Sequence, residues 1–146
     1  MSGKTAFSEG LDVILNNARQ HADILQKKYC DVHILLALLD KDQCVKDFIA
    51  YCECNGVKSP EHNPPSEIHN ALADVPAQRY PYYIQDGKQL ERDFQDYCEK
   101  AGMNNVRGIS FLEYIAGLNS WCGEILYNAG LTPDRIMRYK STSAGH

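Results

Sequence analysis

No apolar run in this chain is long enough to cross a bilayer. Its greasiest stretch, Tyr29 to Leu39 (YCDVHILLALL), falls far short of the about 20 residues a membrane helix needs. There is no G-x-x-x-x-G-K-[ST] loop, so no phosphate cradle points to nucleotide hydrolysis. There is no basic stripe either. Lys and Arg are scattered through a chain of formal net charge −4, which gives no reason to expect nucleic acid. Met1 to Gly10 lacks the basic-then-apolar pattern of a secretion signal, so a cytoplasmic location is expected. In that compartment the six cysteines, Cys30, Cys44, Cys52, Cys54, Cys98 and Cys122, read as free thiols and not as a disulfide framework. No stretch alternates convincingly as a strand.

What is present is helical. A chain of 146 residues suits one domain, residues 1–146, with its own core. In the Tyr29–Leu39 stretch Asp31 reads as an N-cap, and Leu and Ala favour helix over strand. The expectation is a short helix buried on most sides. Before it, Leu11, Ile14, Leu15, Ala18, Ala22 and Leu25 form one face of an amphipathic helix. Ala18 and Ala22 would let a second helix approach closely. Ser2 to Ala6 reads as a frayed start and Asp40 to Gln43 as a turn. A third stripe, Cys44 to Cys52, ends at Asn55-Gly56. Residues 58–87 hold five of the prolines, with a short helix expected over Ser66 to about Ala73. Three stripes follow: Leu90 to Ala101, closed by Gly102; Ile109 to Leu118; and Trp121 to Ala129, closed by Gly130. Trp121 is expected in the core. Thr132-Pro133 then opens a last helix.

This is an all-α chain of about eight helices. Its halves run in parallel, and FIAYCECNGV and EILYNAGL occupy equivalent places. The expected architecture is two pseudo-symmetric four-helix repeats: repeat one about 6–57, a linker about 58–87, repeat two about 88–140, and a disordered tail 141–146.

The residues that carry a family resemblance are Phe7-Ser8, Leu11, Leu15, Ala18-x-x-x-Ala22, and Tyr29 followed by His33-Ile34-Leu35-Leu36-Ala37-Leu38-Leu39. In the second half they are Val106-x-Gly108, Phe111-Leu112, Ile125-Leu126 and Gly130-Leu131. Through them the chain resembles, over about residues 6–140, the N-terminal domain of Clp-type AAA+ unfoldases, the double Clp-N motif. The resemblance implies a non-catalytic module. In that family the domain is tethered to ATPase rings and docks adaptor or substrate proteins. A close variant is the equivalent domain of the type VI secretion sheath-recycling ATPase, which grips a sheath helix; it predicts a groove beside the first helix. The chain is expected to be either a piece of a larger unfoldase or a free-standing module. Departures matter. Val32 stands where the family has Glu, and Cys30 where it has Thr. Ile109 and Ser110 stand where Glu and His often stand. Some relatives bind phosphorylated arginine through those two glutamates, so that activity is not expected.

Candidate binding residues fall in two places. Arg79, Tyr80, Tyr82 and Tyr83 combine the residue types that dominate protein interfaces. The polar face of the first helix presents Asp12, Asn16, Arg19, Gln20 and Asp23. A reading of another class is a small Cys/His metal or thiol enzyme. Cys52-x-Cys54 with His62 and His69 could supply zinc ligands, but two cysteines so spaced on one helix point about 200° apart. Cys30 lies close to His33 in sequence, yet nothing supplies an oxyanion hole, and His33 reads as a first-turn residue bonded locally. No catalytic residue, metal or cofactor is therefore expected.

Overall fold

A computed structural model describes residues 6–24, 26, 28–54, 85–128 and 130–142. Among these residues the chain is all-α, with seven helices: α1 (Glu9–Ile24), α2 (Asp31–Lys41), α3 (Gln43–Cys54), α4 (Gly87–Lys100), α5 (Gly108–Ala116), α6 (Trp121–Asn128) and α7 (Pro133–Thr142). The helix expected over Ser66 to Ala73, and the disordered tail from residue 143 on, lie outside the described residues. Ser141 and Thr142 belong to α7 and not to a tail.

The greasy stretch becomes α2, and it is the middle of the molecule. Val32, Ile34, Leu35, Leu38 and Leu39 are buried almost completely, each such side chain contributing roughly 1.5–3 kcal/mol. Helix α2 packs against α1, α3, α4, α5 and α6, while α5 packs against α1, α2, α3, α6 and α7. The core lies where these two short apolar helices meet. Ala18 and Ala22 are buried on α1, as their spacing predicts, and α1 runs along α2. Phe94 of α4 stacks on Phe111 of α5 with ring centroids 4.2 Å apart, and Phe7 stacks on Phe94 at 5.5 Å.

The cap of α2 is displaced by one residue from expectation. Cys30 is the N-cap, in extended conformation, and Asp31 is the first helical residue. His33 satisfies the cap from within the first turn, its Nδ1 accepting the Cys30 backbone N–H at 3.1 Å. The turn expected over Asp40 to Gln43 shrinks to Asp42, which caps α3 by accepting the Val45 N–H on Oδ1 at 3.0 Å. The other signals act where they stand. Gly102, at φ +69°, closes α4 while the Met103 N–H reaches back to the Cys98 carbonyl. Gly130, at φ +83°, closes α6 through the Leu131 N–H on the Leu126 carbonyl. The Thr132 hydroxyl accepts the Arg135 N–H at 3.3 Å.

Three expectations change. Ala6 is not frayed: it is buried, and its carbonyl accepts the Val106 N–H at 2.8 Å. Trp121 is half-buried at the start of α6, packed against the core and not filling it. Tyr97 and Ala101, counted in the inner stripe of α4, are exposed, because α4 turns only Leu90, Phe94 and Cys98 fully inward.

Two isolated bridges join distant chain segments. Phe7 pairs with Val106 in parallel and Cys30 with Asp86 antiparallel. Each paired residue stands at the start of a helix: Phe7 before α1, Val106 before α5, Cys30 before α2 and Asp86 before α4.

Candidate functional site

Helices α1 and α4 frame a groove of about 530 Å³ lined by Phe7, Arg19, Lys88, Glu91, Arg92, Gln95 and Asp96. The Phe7 backbone is pinned by its bridge to Val106, and its ring is backed by Phe94. The α4 wall follows from helical spacing. Lys88, Glu91, Arg92, Gln95 and Asp96 fall three and four residues apart, opposite the inward Leu90, Phe94 and Cys98.

A fork of hydrogen bonds ties the two walls. Arg19 donates to Glu91 twice, from Nε to Oε2 at 3.1 Å and from Nη2 to Oε1 at 2.5 Å. The Tyr29 hydroxyl donates to the same Oε2 at 2.5 Å. The hydrogen bond to Glu91 raises the Arg19 pKa further. Burial, with that carboxylate beside it, pushes the Tyr29 phenol far above its usual range. Arg19 thus stays cationic and Tyr29 neutral across any physiological pH. Burial raises the Asp12 carboxyl, with Arg19 pulling the other way and Glu91 adding to the rise.

The remaining charges of the groove are open. Arg92 donates to Gln89 at 3.0 Å, and Lys88 and Asp96 have no hydrogen bond or ion pair among the described residues. A second depression of about 440 Å³ lies between α4, α5 and α7. Its charges are consumed internally, since Lys140 Nζ binds Glu113 at 2.6 Å and Ser110 at 3.2 Å.

Of the residues nominated from sequence, Arg19 lines the α1–α4 groove. Asp12 does not line it but lies within electrostatic range of Arg19 and Glu91. Asn16, Gln20 and Asp23 are exposed on α1 outside its lining. Arg79, Tyr80, Tyr82 and Tyr83 lie outside the described residues, as do His62 and His69. The polar face of α4 is the part that sequence reasoning missed. Its signal was available, for KQLERDFQDYCEK is amphipathic enough to mark Lys88, Glu91, Arg92 and Asp96 as a surface.

The thiol chemistry lies elsewhere. Cys30 Sγ sits 3.4 Å from His33 Nδ1, but both residues are buried in the start of α2. Asp31 beside them is 1% exposed, and its Oδ1 has no hydrogen-bond partner. Burial pushes its carboxyl up to about 6, against the pull of the Gln85 and Val32 backbone and the Cys122 thiol. The same burial, with Asp31 nearby, lifts Cys122 well above the usual thiol range, and burial pushes Cys98 up to about 11. These two thiols stay protonated and inert. Among the described residues no group of three His, Cys, Asp or Glu converges as a metal site, and no helix is long and apolar enough to cross a membrane.

Comparison of the sequence with protein-family profiles and with curated proteins finds no match.

Proposed function

We propose that this chain is a protein-docking module of the Clp N-domain type, receiving an adaptor or a substrate protein in the groove between α1 and α4. The observation that carries the reading is that groove: an aromatic floor at Phe7, a rigid Arg19–Glu91–Tyr29 strut, and open charges at Lys88, Arg92 and Asp96. A fixed frame with free polar groups suits recognition, because the frame loses little entropy on binding.

Support for the double-repeat architecture comes from the crosswise arrangement of the halves. The segment before α1 pairs with that before α5, and the segment before α4 with that before α2. Likewise α1 packs on α5 as α4 packs on α2, and α3 on α5 as α6 on α2. The helix contacts suit a pseudo-twofold relation of residues about 6–57 to about 88–140, whereas the two bridges run in opposite senses and do not follow from it. In this reading the module performs no catalysis. It raises the local concentration of its cargo near the ATPase rings of a parent unfoldase. The variant in which the cargo is a helix of a secretion sheath protein needs a groove beside α1, and the α1–α4 groove lies there.

The test fills the groove. Arg92→Trp puts a bulky ring on an exposed lining position. Proteins captured from source lysate by the wild-type chain are expected to be lost from this variant. They are expected to be kept by Glu124→Trp, which decorates the exposed face of α6. Equal capture by all three chains would remove the groove as the docking site.

A further inference from the structure

Two cations on the α4 wall stand where helix stability argues against them. Lys88 and Arg92 are exposed, four residues apart on α4, and both line the groove. Like charges at that spacing repel. Lys88 also lies in the first turn of α4, where the helix dipole disfavours a cation. The acids around them are engaged elsewhere. Asp86, the nearest acid before Lys88, caps α4 through the Gln89 N–H and lies 3.9 Å from Lys28. Glu91 is held by Arg19 and Tyr29, and Asp93 accepts from Gln85 and Gln89. Arg92 itself donates to the neutral Gln89. Local rules broken without compensation mark positions kept for function.

We infer that Lys88 and Arg92 form a subsite for one carboxylate, and that the segment docking in the α1–α4 groove presents an Asp or Glu side chain there and an apolar side chain on Phe7. Side chains four apart on a helix lie about 6 Å from each other, a gap that one carboxylate bridges. Asp96, one turn beyond Arg92, also lines the groove and bounds the cationic stretch. The fit is therefore one carboxylate and not a run of phosphates. Phe7 lies at the level of Gln95, which accepts the neighbouring Ala6 N–H. From the middle of the Lys88–Arg92 pair to Gln95 is about five residues of helix, or roughly 8 Å. An extended segment covers that span in two to three residues, at about 3.3 Å each. The inference rests on the groove being the docking face, and it names what that face selects.

The test uses three Gly/Ser peptides that carry a Leu and, two residues from it, a Glu, a Gln or a Lys. Each is titrated against the wild-type chain and Lys88→Glu, following backbone amide shifts in α1 and α4. The wild type is expected to bind the Glu peptide about fivefold more tightly than the Gln peptide, the scale of one or two exposed ion pairs. The Lys peptide should bind most weakly, and the order should fade as salt rises. Lys88→Glu is expected to erase the preference for Glu while raising the urea midpoint. A lower midpoint would mean that Lys88 serves the fold, and would overturn the inference. So would a ten-residue oligothymidylate that shifts the same amides more strongly than the Glu peptide, which would make the subsite one for phosphates. If the Gln peptide matches the Glu peptide while those amides shift, the groove docks proteins without an acid subsite. If no peptide shifts them, the inference falls, and the Arg92→Trp capture experiment decides the docking reading separately.

Discussion

Asp31 and Glu91 are both carboxylates set against the packed body of the molecule, and they are treated oppositely. Glu91 accepts two hydrogen bonds from Arg19 and one from Tyr29, and its side chain keeps 15% of its exposure. Asp31 is sealed at the start of α2 with one oxygen unpartnered. A carboxylate at the rim can collect cationic and hydroxyl donors and form a strut. One in the core must either find donors or hold its proton. The α1–α4 groove is therefore rigid by satisfied polarity, whereas the start of α2 carries an unmet electrostatic cost.

The largest test of that contrast is the pH dependence of Asp31. Its folded-state pKa, about 6, lies above its ordinary 3.8, so the folded chain binds the proton more tightly than the unfolded one. Its contribution is most favourable below pH about 4, falls as pH rises through the folded pKa, and is lost above it, by about 3 kcal/mol in all. Urea unfolding of wild type and Asp31→Asn between pH 4 and 8 should show the difference between them grow over that window, with the Asn variant gaining at the alkaline side. A flat difference would mean that the carboxylate finds donors in solution.

Next in size is Gly87→Ala. The added methyl would sit 2.5 Å from the Tyr29 ring, displacing that ring from Glu91. A loss of about 2 kcal/mol is expected, in the range for overpacking. Tyr29→Phe removes only the hydroxyl and should cost about 1 kcal/mol, so the gap between the two variants isolates the steric part. Arg19→Ala follows. Its side chain is 40% exposed, so solvent screening limits the loss to about 0.5–1 kcal/mol despite the forked geometry. The smallest effect has the opposite sign: Lys88→Glu should stabilise the fold against urea by a few tenths of a kcal/mol, by suiting the α4 dipole.

Local signals in the sequence carried much of the fold. The leucine run set α2, Ala18 and Ala22 marked the inner face of α1, and Gly102, Gly130 and Thr132-Pro133 marked helix ends, because capping and periodicity act within a few residues. The residues of the site were legible only in part. Arg19 was visible as a polar residue on an amphipathic helix. Its bond to Glu91 was not, since nothing near either residue specifies a partner so distant in sequence. Asp31 was read as the N-cap because Asp favours that position; the structure places it one residue inward and buries it. Trp121 and Tyr97 were assigned inward by periodicity, yet each keeps an exposed part, as large amphipathic rings often do.

The two bridges are nested: Cys30 with Asp86 lies inside Phe7 with Val106. On a chain emerging from the ribosome, the Ala6 carbonyl and the Ser8 N–H gain their backbone partner only once Val106 has been made. Helix α1 is synthesised before α4, yet the clasp at its start closes only after α4 is complete. Contacts this distant slow folding relative to a bundle of neighbouring hairpins. The order of synthesis therefore leaves the Phe7 side of the groove unfinished until the second half of the chain arrives, and a nascent fragment ending before residue 106 should carry no finished α1–α4 groove.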